Sequence, residues 1–215
     1  MSFRDRTDAG QRLAAALAGY QNQHPIVLAL PRGGVPVAAP IAQALRAPLD
    51  LLLVRKIGVP WQPELAMGAV VDGAEPIVVR NETVIAGCNV EPATFDALRD
   101  RELAEIERRR RLYLGNRPRA GIAGRTVIVV DDGIATGATT RAALRSVAAR
   151  KPRKLVLAVP VGPADTVAAL RDEVDEVVCP EVPDDFRAIG LHYEDFAQVA
   201  DDEVRRLLAH APAPV

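Results

Sequence analysis

Apolar residues along the chain follow two rhythms. Leu13, Ala16, Leu17 and Tyr20 recur at helical spacing within Asp8–Gln21, which predicts an amphipathic helix. His24-Pro25 ends it, and the unbroken apolar run Ile26–Leu30 then reads as a parallel strand buried on both faces. Pro31-Arg32-Gly33-Gly34 is a turn, and a helix follows to about Arg46. Pro36 suits the first turn of that helix, whereas Pro40 requires a late start or a kink, because proline has no N–H to donate. Leu49–Val54 repeats the buried-strand pattern and closes on Arg55-Lys56.

The next strand of this kind, Thr126–Val130, lies about 70 residues further on, far beyond an ordinary crossover, so the interval holds an excursion. Its first part, Leu65 to Ala86, is rich in β-branched residues, and Asp72-Gly73 and Arg80-Asn81 read there as hairpin turns. Its second part, Pro92 to about Leu114, is a charged helix containing Arg108-Arg109-Arg110-Arg111. After Val130 the alternation is simple: helix Thr139–Ala149, strand Leu155–Pro160, helix Ala164–Arg171, strand Glu176–Val178. A loop with Pro180 and Pro183 follows, and a helix over Asp201–Ala209 closes the chain. This alternation predicts an α/β fold, an open and mainly parallel sheet with helices on both faces.

Composition narrows the picture. A chain of 215 residues, 49% hydrophobic and 26% charged, suits a soluble globule, and we expect one domain with an insertion at about 57–122. The formal net charge of −1 supplies no field toward nucleic acid or an anionic membrane, so neither is an expected partner. No apolar run approaches the ~20 residues of a membrane helix, and the charged start is unlike a secretory signal, which makes the cytoplasm the expected location. Cys88 and Cys179 have no Cys or His near them at metal-binding spacing and read as ordinary thiols. A phosphate ligand would have to be held by local geometry.

One segment offers that geometry. Val127-Ile128-Val129-Val130 runs into Asp131-Asp132, then into Gly133-Ile134-Ala135-Thr136-Gly137-Ala138-Thr139-Thr140 and a helix. Ligands of open α/β sheets bind beyond the carboxyl ends of the strands. Two adjacent carboxylates are too costly to bury unpaired there, and together they can accept hydrogen bonds from a vicinal diol such as that of ribose. The small-residue loop lets backbone N–H groups approach a phosphate, and the helix behind it turns its positive end to the same point. An acidic pair at a strand end is common; the whole succession is rare. Leu30-Pro31-Arg32-Gly33-Gly34 sets a guanidinium and two glycines at a second strand's carboxyl end, where arginine can fork onto phosphate oxygens.

In this order of residues the sequence resembles the type I phosphoribosyltransferases, whose signature for 5-phosphoribosyl-1-pyrophosphate (PRPP) runs the same way. The likeness covers roughly residues 24–58 and 122–180 and is most specific at 127–140. It implies that Asp131 and Asp132 hold the ribose hydroxyls while Ala135, Thr136, Gly137, Ala138 and Thr139 wrap the 5′-phosphate. It puts Arg32, Gly33, Gly34, Arg55 and Lys56 on the pyrophosphate, with Asp131, Asp132 and Arg32 as catalytic groups. Gly133 stands where many members carry an aliphatic residue, and a looser turn is expected there. The insertion corresponds in position to the family's mobile loop. Its arginine run is expected to form a solvated helical face partly paired with Glu102, Glu105 and Glu107. A small C-terminal hood at about 180–200 would receive the acceptor, with Phe186 the first stacking candidate and Tyr193 the second.

The implied reaction is transfer of phosphoribosyl from PRPP to a nitrogenous acceptor, a base or related amine, with release of pyrophosphate. It would be a pentosyl transfer of nucleotide metabolism. Mg2+ would be held mainly through PRPP, with Asp131 and Asp132 contributing, and a homodimer is allowed. Ala135 occupies the place of the acidic residue that 6-oxopurine enzymes of the family direct at the purine. Leu155–Val161 offers no lysine for the purine oxygen, so hypoxanthine and guanine are disfavoured. The alternatives are a non-catalytic PRPP- or nucleotide-binding regulator, for which the arginine helix speaks, and PRPP synthesis, which uses two such domains.

Overall fold

The computed structural model describes residues 2–73 and 76–212. The chain begins with α1 (Arg6–Ala16), β1 (Ile26–Ala29), α2 (Gly34–Leu45) and β2 (Leu49–Leu51). It then makes β3 (Val54–Val59), β4 (Gln62–Val71), β5 (Ile77–Arg80), α3 (Glu82–Gly87) and α4 (Pro92–Leu114). It ends with β6 (Thr126–Val130), α5 (Ala138–Ala149), β7 (Lys154–Ala158), α6 (Ala164–Arg171), β8 (Glu176–Val178) and α7 (Asp201–His210). Five strands pair in the order β2-β1-β6-β7-β8, all parallel, with Leu28 opposite Val129 at the centre. The expected open parallel α/β sheet is present, accompanied by a second, antiparallel sheet of β3, β4 and β5.

Burial on both faces explains the unbroken apolar runs. In β6 the side chains of Ile128 and Val130 enter the core shared with α2, while Val127 and Val129 enter the core shared with α5. The same period-two division holds in β1 and β7. From β1 the chain winds outward to β2, and from β6 it winds the other way to β7 and β8. The winding therefore reverses between β1 and β6, and a crevice opens outside their carboxyl ends.

The excursion departs from expectation in its details. The Leu49–Val54 run is two strands and not one: Leu52 N–H still bonds Ala29 of β1, while the Leu53 carbonyl already accepts from Asp72 beside β4. Arg55-Lys56 accordingly lies inside β3 and not at the end of a core strand. Apolar residues serve both sheets, so nothing in the run marks the crossing. Arg80-Asn81 is no hairpin turn, because Asn81 caps α3 by accepting from Val84 N–H. A tight turn instead falls at Pro60-Trp61, where Trp61 stands 65% exposed. The chain does reverse after Asp72-Gly73, through a link whose residues 74 and 75 lie outside the described residues. Helix α2 starts at Gly34 and runs through Pro40, so a late start is not how that proline is accommodated.

Helix α4 is amphipathic in charge as much as in hydrophobicity. Arg108 and Arg109 both bond Glu105, and Arg111 bonds Glu107, as a solvated face would. Arg110 differs: it is buried, 2.9 Å from Asp72, which also receives Arg119. Arg150, at the end of α5, donates to the Asp72 carbonyl. Glu102 turns away from the run and bonds Arg55 at 2.8 Å. These pairs tie α4 to the second sheet, and Arg110 with Asp50 of β2 and Arg150 with the Asp72 carbonyl join the insertion to the core, contacts that periodicity does not reveal. No helix among the described residues is long and apolar enough to cross a membrane.

Candidate functional site

Two loops meet at the crevice between β1 and β6. Leu30 N–H bonds the Val130 carbonyl, so the Pro31–Gly34 loop leaves the sheet against the Asp131-Asp132 loop. The Pro31–Arg32 peptide is cis. The glycines permit the contact: a Cβ on Gly33 would lie 2.0 Å from Asp132 Oδ2, and one on Gly34 2.7 Å from the Val130 carbonyl. Gly33, Gly34, Asp131 and Asp132 are therefore brought together as the sequence suggested.

Beyond the carboxylates, Ala135, Thr136, Ala138 and Thr139 are exposed around Gly137, which turns the chain with φ +71°. The loop is pinned from outside, since Ile134 N–H bonds the Val161 carbonyl and Thr166 Oγ1 donates to the Ala135 carbonyl. Gly137 occupies the cap position of α5 and supplies no side chain to its first N–H groups. Those donors, at the positive end of a helix, are left for an anion. Gly133 does not loosen this turn. Its φ is +153°, and a Cβ would meet Ile189 at 2.6 Å and Val161 at 3.2 Å, so the turn is tight and requires glycine.

The two carboxylates are set apart electrostatically. Asp131 turns one oxygen back onto Asp132 N–H. Withdrawal from water, then the neighbouring Asp132 carboxylate, lifts its carboxyl well above the usual range. Asp132 is bonded at 2.8 Å by Arg6 from the first turn of α1, and its backbone carbonyl accepts from the Tyr193 hydroxyl at 2.6 Å. Arg6 lies 126 residues away in sequence. Nothing in the charged start of the chain distinguishes it from Arg4 or Arg12, and sequence reasoning missed it.

The family described as phosphoribosyl transferase domain matches residues 4–195. The chain belongs to that family. The match reaches well beyond the strand-and-loop core that carries the signature, into the N-terminal helix and the insertion. A Mycobacterium tuberculosis protein named "Putative phosphoribosyl transferase Rv0571c" is 47% identical over 209 residues, which is 97% of this chain and 47% of that protein. The chain thus spans about half the length of the curated relatives it matches. The crystal structure of TT1426 from Thermus thermophilus superposes with a TM-score of 0.80 at 42% identity, covering 97% of this chain and 98% of that one.

Within this phosphoribosyl transferase fold the expected cations do not all converge. Arg32 reaches from its loop toward Asp201 at 3.6 Å, and Asp201 in turn accepts from Tyr113 at 2.6 Å. Burial and the Asp201 carboxylate push the Tyr113 hydroxyl up to about 12. Arg55 and Lys56, adjacent on β3, point to opposite faces. Arg55 meets α4 through Glu102, while Lys56 lines a cavity of about 540 Å³ between the second sheet and α5. Ala138 and Thr139 line the same cavity, together with Arg141 and Arg145. Lys56, paired with Glu64 at 3.1 Å, thus shares its cavity with the start of α5, and Arg32 does not line it.

The hood is only partly as expected. Phe186 is half-buried and stacks on His192, with ring centroids 5.5 Å apart and planes 9° from parallel. Tyr193 is buried against Phe3 and Phe196 and props the Asp132 loop through its hydroxyl. With its ring enclosed it offers no face to an acceptor, which corrects its assignment as a stacking residue. Burial and the nearby Asp132 and Asp131 carboxylates raise its hydroxyl pKa far above the ordinary value.

Proposed function

We propose that the protein transfers the 5-phosphoribosyl group of PRPP to a nitrogenous acceptor and releases pyrophosphate. The observation that carries this reading is the pairing of Asp131-Asp132 with the uncapped start of α5 at one point of the sheet, facing the Gly33-Gly34 loop. The 5′-phosphate would take the N–H groups of 135–139 and the Thr136 and Thr139 hydroxyls, with Lys56 on its outer side. The ribose diol would take the two carboxylates. Arg32, with the backbone of Gly33 and Gly34, would receive the pyrophosphate. The acceptor nitrogen donates its lone pair to the anomeric carbon as the bond to pyrophosphate breaks, and the electron pair leaves on the pyrophosphate oxygen. The chain's contribution is to align those partners and to meet the departing charge with fixed donors.

The donor set bears on a metal. No cluster of three or more His, Cys, Asp or Glu suited to a metal ion forms among the described residues. Asp131 and Asp132 are the residues that would hold a Mg2+ ion together with bound PRPP. Bound there, it would neutralise charge developing on the leaving group. The acceptor would lie under the hood against Phe186, and no carboxylate stands at Ala135 to meet a purine. The rival regulatory reading draws on the arginines of α4, of which Arg110 is buried on Asp72 while Arg108, Arg109 and Arg111 pair with Glu105 and Glu107.

The test is incubation with Mg2+ and PRPP against a panel of bases and small amines, following pyrophosphate release. Turnover with at least one acceptor is expected. The double variant Asp131→Asn/Asp132→Asn should retain the fold, by circular dichroism, and lose PRPP binding. Undiminished PRPP affinity in that variant would refute the ribose assignment.

A further inference from the structure

Arg6 is held in a way that an ordinary surface arginine is not. Its side chain is 12% exposed and that of Asp132 14% exposed. Three anchors converge on its guanidinium: Nε bonds Asp132 Oδ2 at 2.8 Å, Nη1 bonds the Ala197 carbonyl at 2.8 Å, and the group lies 3.8 Å over the ring of Phe196. The helix that carries it cannot drift. A Cβ on Gly10 would come within 2.3 Å of the Val37 carbonyl, so α1 is seated directly on α2, the helix that springs from the Gly33-Gly34 loop. Ahead of α1, Phe3 is bridged to the hood, donating to the His192 carbonyl and accepting from Glu194 N–H, each at 2.8 Å.

Asp132 is consequently held at two points, its carbonyl by Tyr193 and its Oδ2 by Arg6, while Gly33 leaves room for the carboxylate because it has no Cβ. Oδ1, by contrast, accepts no hydrogen bond among the described residues. We infer that Arg6 is a positioning residue for the donor sugar: it fixes the rotamer of Asp132 and so presents Oδ1 to the ribose diol, without itself touching the substrate. This inference rests on the proposed phosphoribosyl transfer. It adds that the N-terminal segment and hood jointly set the affinity for ribose. Arg6 lies outside the strand-loop-helix signature, and among the described residues its hydrogen bonds and ring contact go to Asp132, Ala197 and Phe196.

The geometry specifies which ligands should respond. Binding of PRPP and of ribose 5-phosphate depends on the diol contact, whereas inorganic pyrophosphate depends on Arg32 and the Gly33-Gly34 backbone. Calorimetric titration of the full chain with these three ligands, without added Mg2+, separates the two. Arg6→Gln is expected to weaken PRPP and ribose 5-phosphate about tenfold, the order of effect of one charge-assisted hydrogen bond, with pyrophosphate unchanged. Arg6→Lys keeps the charge but cannot satisfy Asp132, Ala197 and the Phe196 ring at once, so it should recover part of that loss. It also serves as the test should the glutamine variant not fold. Arg4→Ala, an exposed partner of Asp8 in the same segment, should bind all three ligands as the parent does. Parental PRPP affinity in both Arg6 variants would overturn the inference, as would equal losses for PRPP and pyrophosphate. Failure of the parent protein to bind PRPP would instead sink the proposed function and the inference with it.

Discussion

Replacing Gly133 with alanine tests whether the turn after the two carboxylates is as tight as its geometry states. Two costs add. The backbone sits at φ +153°, where a residue with a side chain is strained by about 1–3 kcal/mol. The new methyl would overlap Ile189 Cγ2 at 2.6 Å and press Val161 Cγ1 at 3.2 Å, an overpacking of about 1–3 kcal/mol. Val161 is fully buried and cannot retreat, but Ile189 is half-buried in the hood and can swing aside. We expect a net loss of about 3 kcal/mol, which for a chain of this size lowers Tm by about 6–12 °C. Urea unfolding followed by far-UV circular dichroism gives the value. The single Trp61 is largely exposed in the folded state and would report poorly by fluorescence. Adding Ile189→Ala removes the steric half, so the double-mutant cycle should show a favourable coupling of about 1–2 kcal/mol. A Gly133→Ala protein within about 0.5 kcal/mol of the parent would refute the requirement for glycine, and zero coupling would refute the contact with the hood.

Two further outcomes follow from the charges. Arg110→Ala should destabilise by about 3–5 kcal/mol, because it leaves a buried Asp72 partly unpaired, whereas Arg111→Ala on the solvated face should change stability by about 0.5 kcal/mol or less. Equal urea midpoints for the two variants would contradict the burial of Arg110. Hydrogen bonds from Arg145 and Arg141 pull Glu173 down to about 2 from the ordinary 4.5. A depressed carboxylate stabilises the fold above its unfolded pKa and loses that contribution as pH falls through the folded value. The stability gap between the parent and Glu173→Gln should therefore be full at pH 6 and close between about pH 4.5 and 2. A gap independent of pH across that range would show that the pairing with Arg145 and Arg141 is not what sustains it.

What the sequence disclosed was local. Val127–Thr140 could be read because strand, acids, loop and helix are contiguous, and each constrains the next. Helix α4 was bounded correctly because Pro92 opens it and Gly115 closes it. The division of Leu49–Val54 between two sheets was hidden, since one apolar residue looks like another whichever core receives it. Asn81 was misread because asparagine serves turns and helix caps through the same side-chain acceptor. The long-range contacts left no trace: Arg6 on Asp132, Tyr193 beneath the same loop, Arg110 on Asp72. Each unites segments distant in sequence through residue types that usually stay in water or fill a core.

The strand order carries a consequence for how the chain assembles. The centre of the main sheet joins β1 to β6, pairing Leu28 with Val129 across 101 positions. A growing chain that has just completed α4 holds β1 and β2 but lacks the partner that covers the inner edge of β1. It also holds Asp72 and Arg110 before Arg150 has been made. Burying those charges and closing that edge must both wait for the second half of the chain. Late closure of this long loop is therefore the step expected to slow folding most. The cleft between β1 and β6, where the Pro31–Gly34 and Asp131-Asp132 loops meet, exists only once that closure is complete.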